Sequence, residues 1–128
     1  MPGPARAGAV LFARDLQLVS RFYQSLLGMR CLHADAERHV IESADMQLVI
    51  HAIPHRIAQT FSIASPPALR EEQAIKLFFT VASLADALQT AAALGGRACG
   101  NGFAGPGFQA QDVCDPEGNI LQLREKNG

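Results

Sequence analysis

The chain is predicted to be α+β, with two βαβββ modules forming a curved eight-stranded mixed sheet around a cup and the helices outside. Three observations predict this class. Each half runs strand, helix, then three strands in its hydrophobic periodicity. The second half repeats the first at a spacing of 68 residues. A helix-capping residue and a helix-stopping glycine fall at matching places, Asp15 with Ser83 and Gly28 with Gly96. The predicted boundaries are a first module over about 8–53, a linker over about 54–73 and a second module over about 74–125, all in one domain of 1–128.

Residues 8–13, small and apolar throughout, read as a short buried strand. Asp15 can cap a helix, because its carboxylate accepts orphan amide hydrogens of the first turn. Leu16, Val19, Phe22, Tyr23, Leu26 and Leu27 recur at helical spacing, and Gly28 supplies the stop. Strands are expected over 29–34, 38–43 and 46–53, with a hairpin turn at Ser43, Ala44 and Asp45. Pro54, Pro66, Pro67 and the charged run 70–72 mark the linker, which is either a plain crossover or a loop that closes over a site.

The second half begins with a strand over 76–81. Ser83 then caps a helix carrying Leu84, Leu88, Ala91 and Leu94, which Gly95 and Gly96 end. Strands at 97–99, 108–114 and 119–125 complete the set. At the spacing of 68, Leu16 falls on Leu84, Gly28 on Gly96 and Cys31 on Cys99. At the last strand a three-residue insertion, assigned to the turn Asp115–Asn119, changes the spacing to 71 and matches His51 to Gln122. Each sheet with one helix-covered face must bury or use the other, and a cup of this kind suits a small molecule.

Composition narrows the function classes. The formal net charge is −1 with no basic run, so the electrostatic footprint of a nucleic-acid binder is missing. No apolar run approaches the roughly 20 residues that span a bilayer. The N-terminus lacks the charged-then-apolar order of a secretory signal, so a cytoplasmic protein is expected. Cys31, Cys99 and Cys114 form no C-x-x-C pair and are expected to be reduced, buried thiols.

The motifs resemble those of the vicinal oxygen chelate superfamily, which includes glyoxalases, bleomycin resistance proteins and dioxygenases. Ala13-Arg14-Asp15-Leu16, Arg21-Phe22-Tyr23 and Leu26-Leu27-Gly28-Met29 are similar to that superfamily's first-helix pattern. Asp115-Pro116-Glu117-Gly118-Asn119 followed by Leu121-Gln122-Leu123 is similar to its signature turn and final strand. The resemblance covers about residues 8–125 and implies a divalent metal held by four residues, one from the first and one from the last strand of each module. Carried onto this chain, those positions are Gly8, His51, Lys76 and Gln122. Gly8 has no side chain, Lys76 has no lone pair while charged, and Gln122 offers a neutral carbonyl. Of the four, His51 alone is a good ligand. No metal and no cofactor are therefore expected.

Strand alternation assigns the cup-facing side chains. Leu77, Phe79, Val81, Leu121 and Leu123 are expected against the helix. Lys76, Phe78, Thr80, Ile120, Gln122 and Arg124 then face inward, as do Val10, Phe12, Val49 and His51. The candidate catalytic residues are His51, as a base near neutral pH, and Lys76, as an anion binder or base. Phe12, Val49, Phe78, Gln122 and Arg124 are the candidate ligand-binding residues. Each polar candidate has a plainer reading: His51 satisfied within the sheet, and Lys76 and Arg124 solvated. His33, His39 and His55 follow no ligand spacing and read as surface residues. The Gly-rich run 100–107 has no phosphate-loop pattern, and the resemblance makes it a flexible rim loop. Its Phe103 and the following Phe108 can touch a ligand or simply pack.

The functional reading is a protein that binds a small organic molecule in the cup without a catalytic metal. The cationic tips favour an anionic or polar ligand, and the resemblance implies a homodimer. The alternative is a lyase or isomerase similar to lactoylglutathione lyase, using His51 as base and Lys76 or Gln122 to stabilise an enolate oxygen. A dioxygenase needs an iron triad of two His and one carboxylate, which is missing at the matching positions.

Overall fold

A computed structural model describes residues 4–128. Met1, Pro2 and Gly3, the start of the segment read above for a secretory signal, lie outside the described residues. The eight strands are all present, but hydrogen bonding divides them into two sheets of four rather than one of eight. The chain correspondingly splits within the predicted linker into two compact units, the first ending at Ser62 and the second running from Ile63 to Gly128.

The first unit contains β1 (Gly8–Ala13), α1 (Leu16–Leu27), β2 (Arg30–Ala34), β3 (Arg38–Glu42), β4 (Gln47–Ala52) and a short α2 (His55–Ala58). Its sheet order is β1-β4-β3-β2, with β1 parallel to β4 and the other pairs antiparallel. Asp15 caps α1 as expected, its carboxylate accepting from the Leu18 amide at 3.1 Å. Leu16, Val19, Phe22, Tyr23 and Leu26 are buried, and α1 packs on β3 and β4, whose Ile41, Leu48 and Ile50 are fully buried. Burying side chains of this size contributes roughly 1.5–3 kcal/mol each, so this stripe is the main stabilising feature of the unit. The sequence did not predict α2. Arg14 holds the chain beyond it, its Nε donating to the Ala58 and Phe61 carbonyls at 3.0 Å each.

The second unit contains β5 (Phe78–Thr80), α3 (Leu84–Ala93), β6 (Arg97–Gly105), β7 (Phe108–Cys114) and β8 (Ile120–Lys126), in sheet order β5-β8-β7-β6. Ser83 caps α3 by accepting from the Asp86 amide at 3.1 Å. The helix residues fully shielded are Ala87 and Ala91, while Leu84, Leu88 and Leu94 are only half-buried. Opposite them Val113, Leu121 and Leu123 are buried.

Two expectations for this unit need correction. The Gly-rich run is no free loop: residues 100–105 belong to β6, where pairing with β7 shifts register after Cys99 and resumes at Phe103 opposite Ala110. The strand expected over 76–81 is also shorter. Its start is replaced by the side chain of Gln73, which accepts from the Ile120 amide at 2.8 Å and donates to the Ile120 carbonyl at 2.6 Å. The linker is pinned further by Arg70, whose amide donates to the Gly118 carbonyl and whose Nε donates to the Glu117 carbonyl. Arg97 donates to the Pro67 carbonyl at 2.9 Å.

The repeat is real, but its register differs from the sequence alignment. The spacing of 68 holds through the first strand and helix cap, from Phe12 to Thr80 and from Asp15 to Ser83. α3 is then two residues shorter than α1, and the turn after it comes one residue early. Gly95, with φ of 97°, does the work of Gly28, with φ of 62°. The same closing hydrogen bond runs from Met29 to Gln24 and from Gly96 to Ala91. That one-residue slip puts Cys31 level with Ala98, not Cys99. Cys31 pairs across from buried Ile41, whereas Cys99 pairs across from Asp112 on the opposite face. Most of the inserted length lies in the β6–β7 hairpin, not in the Asp115–Asn119 turn. At the last strand the spacing is 73, so His51 corresponds to Arg124 and Val49 to Gln122.

Candidate functional site

Each sheet has one face without a helix, and the candidate residues lie there. In the first unit β1 and β4 pair Val10 with Val49 and Phe12 with His51. Val10 and Phe12 are more than half exposed, at 56% and 59%. The His51 ring sits 5.6 Å from the Phe12 ring. Its Nδ1 lies 2.8 Å from the Ala52 carbonyl. A carbonyl only accepts, so Nδ1 carries the hydrogen and the neutral ring keeps its lone pair on Nε2. Phe12, Val49 and His51 are thus brought together as one apolar patch with one acceptor nitrogen.

In the second unit the cross-strand row is Phe78, Gln122 and Asp112, with Thr80, Arg124 and Ala110 in the next row. Lys76 bonds to the Asp112 carboxylate at 2.8 Å, so its charge is already offset. Asp112 was not singled out from the sequence, where a lone acidic residue in a strand has no marker. Its second oxygen, Oδ1, is buried with no hydrogen-bond partner among the described residues. Arg124 is not a freely solvated cation. Its guanidinium carbon lies 3.8 Å from the Phe78 ring centre and 4.4 Å from that of Phe108. Its Nε donates to the Gln122 side-chain oxygen at 2.7 Å. Phe108 is therefore part of this arrangement, whereas Phe103, 48% exposed, makes no ring contact among the described residues.

Two of the other histidines are engaged elsewhere. His33 bonds to Asp35 at 2.6 Å, and that bond with the Arg38 and Glu37 amides holds the Asp35 carboxyl well below its usual range. His39 meets the buried Ser20 hydroxyl at 2.7 Å and is not a bare surface residue. Cys114 is buried and Cys99 half-buried, but Cys31 is exposed, because edge strand β2 is exposed along its whole length. Burial, reinforced by the Cys114 thiol, pushes the Cys99 thiol up to about 11. A cavity of about 560 Å³ opens at the β3–β4 turn, lined by residues 5–7 and 42–46, and contains none of the candidate residues.

The metal that the resemblance implies does not fit these residues. A Cβ added at Gly8 would lie 2.5 Å from the Gln47 backbone oxygen, so position 8 has no room for a ligating side chain. Lys76 is paired with Asp112, and the Gln122 oxygen already accepts from Arg124. By strand register the first-unit counterpart of Gln122 is Val49, which has no donor atom. Among the described residues no group of three or more His, Cys, Asp or Glu is placed to hold a metal ion.

Two βαβββ units with paired first and last strands are the architecture of the vicinal oxygen chelate superfamily, to which glyoxalases, bleomycin resistance proteins and dioxygenases belong. The glyoxalase-like domain profile matches residues 8–123, and the chain belongs to that family. The fold is similar to that of a glyoxalase/bleomycin resistance protein/dioxygenase family enzyme from Burkholderia phytofirmans PsJN. There the TM-score is 0.70 at 16% identity, covering 94% of this chain and 97% of that one. A glyoxalase/bleomycin resistance protein from Albidiferax ferrireducens T118 gives a TM-score of 0.67 at 20% identity, covering 94% and 98%. A bleomycin-binding protein complexed with bleomycin gives 0.60 at 19%, covering 95% and 98%. At these identities the likeness is one of fold. No curated protein matches the chain in sequence. No helix among the described residues is long and apolar enough to cross a membrane.

Proposed function

We propose that this chain binds a small organic molecule on the helix-free faces of its sheets and does so without a catalytic metal. The observation that carries the reading is the exposure of large apolar side chains beside fixed polar groups. Val10 and Phe12 stand next to His51, and Phe78, itself 56% exposed, stands next to Gln122 and Arg124. Exposed apolar surface with a few oriented polar groups is the composition of a ligand site. The ligand-binding residues proposed are Phe12 and Val49 in the first unit and Phe78, Gln122 and Arg124 in the second. The fold relative crystallised with bleomycin supports small-molecule binding in this fold. Homodimerisation and a cytoplasmic location belong to the same proposal.

A thermal-shift screen of purified protein, run with and without chelator, tests this. Ligands that bind the folded state raise its melting temperature. The expected result is a stabilising organic compound whose effect survives chelation and disappears in Phe78→Ala. Stoichiometric metal in the purified protein, required for binding, would refute the metal-free part.

One observation favours a second reading, a lyase or isomerase. Because the Ala52 carbonyl engages Nδ1, His51 presents Nε2 as a proton acceptor over an apolar patch. Lys76 would have to leave Asp112 to stabilise an enolate oxygen, which places His51 at the centre of this alternative. Loss of turnover in His51→Gln with ligand binding retained would select it over simple binding.

A further inference from the structure

Arg124 is a positive charge of the second unit held in an arrangement that is already oriented. It lies on β8 between β5 and β7, and each neighbouring strand supplies one ring, Phe78 from β5 and Phe108 from β7. Gln122 takes the Nε hydrogen at 2.7 Å. The guanidinium is thereby held on three sides, and its two terminal nitrogens have no hydrogen-bond partner among the described residues. No carboxylate pairs with Arg124 among the described residues, whereas Lys76, another cation of this face, is bonded to Asp112 at 2.8 Å. A guanidinium braced in this way has lost side-chain freedom before any ligand arrives, so less is lost on binding. Its free edge presents parallel N–H donors, the geometry that matches two oxygens of one oxyanion.

Resting on the small-molecule reading above, we propose that the ligand is an organic anion whose carboxylate, or another oxyanion with two oxygens on one edge, docks on the terminal nitrogens of Arg124. Phe78 and Phe108 hold the guanidinium in place, and Lys76 is not the anion-binding residue.

The test uses the full chain with benzoate as probe and its neutral amide, benzamide, as control. Binding is followed by two-dimensional NMR of the backbone amides and of the Arg124 Nε–H. Benzoate is expected to shift the Arg124 side-chain signal and the amides of 122–124. Arg124→Gln should weaken benzoate about ten-fold or more. Arg124→Lys keeps the charge but loses the two-donor edge, so it should also weaken benzoate. Unchanged benzoate binding in Arg124→Gln would overturn the proposal. Neutral fragments shifting Phe78 and Gln122 while benzoate does not reach Arg124 would overturn it and leave the small-molecule reading standing. Probes of either charge shifting nothing on either sheet face would overturn both.

Discussion

Gly8→Ala is the perturbation that most directly tests why the first strand offers no ligand. The added Cβ would lie 2.5 Å from the Gln47 carbonyl oxygen, 3.3 Å from its carbon and 3.6 Å from its Cβ. The nearest atoms are backbone, so relief requires β1 to move off β4, its one ladder partner among the described residues. Forced overpacking of this kind costs about 1–3 kcal/mol. Replacing glycine also restricts the unfolded chain, which offsets about 0.4–1 kcal/mol. The net loss is about 1–2 kcal/mol, or a melting temperature lower by about 3–8 °C for a domain of this size. Thermal unfolding by circular dichroism and urea titration measure both quantities. Gly8→His should be no more stable than Gly8→Ala, and zinc or nickel should not rescue it. A neutral Gly8→Ala, or a Gly8→His that binds one metal ion and gains stability from it, would refute the reasoning.

Three further outcomes follow from local features of the fold. Gly28→Ala meets no atom within 4 Å, so its cost is the left-handed backbone alone, about 1–2 kcal/mol in urea unfolding. Ser83→Ala removes the cap of α3 and should cost about 1 kcal/mol, with Ser83→Asp retaining most of it. The Cys99 thiol ionises at about 11 in the fold against an ordinary 9.0. Between those values the unfolded chain has released a proton that the folded chain keeps, so this contribution is full below about pH 9 and lost as pH rises toward about 11. Urea unfolding across that window should show a decline that Cys99→Ala flattens and Cys31→Ala does not.

The helix caps, α1's buried stripe and the strand faces were legible because each rests on local chemistry. Asp15 and Ser83 cap where expected, and Leu121 and Leu123 are buried while Gln122 and Arg124 are not fully so. The last-strand alignment failed for a definite reason. Shifting a strand by two residues preserves which face every side chain occupies, so alternation cannot tell a spacing of 71 from one of 73. The hydrogen-bond register decides it, pairing Phe12 with His51 but Phe78 with Gln122. A shift of one residue does reverse the faces. The match of Cys31 to Cys99 missed that, because the turn after α3 comes a residue early and identical letters concealed the slip. The bracing of Arg124 and its pairing with rings from two strands depend on contacts far apart in the chain. Local pattern carries no trace of those contacts, nor of the bond between Lys76 and Asp112.

The Gln73 amide bonded to Ile120 has a consequence for how the protein behaves in a crowded solution. β5 is three residues long, so the beginning of β8 would otherwise show unpaired peptide groups along one side. Such a margin is a template on which a strand from another molecule can grow. A side-chain amide has the same donor and acceptor as a peptide unit but no chain running onward from it. It saturates Ile120 and at the same point ends the ladder, so the start of β8 is closed to strand addition by one residue of the linker.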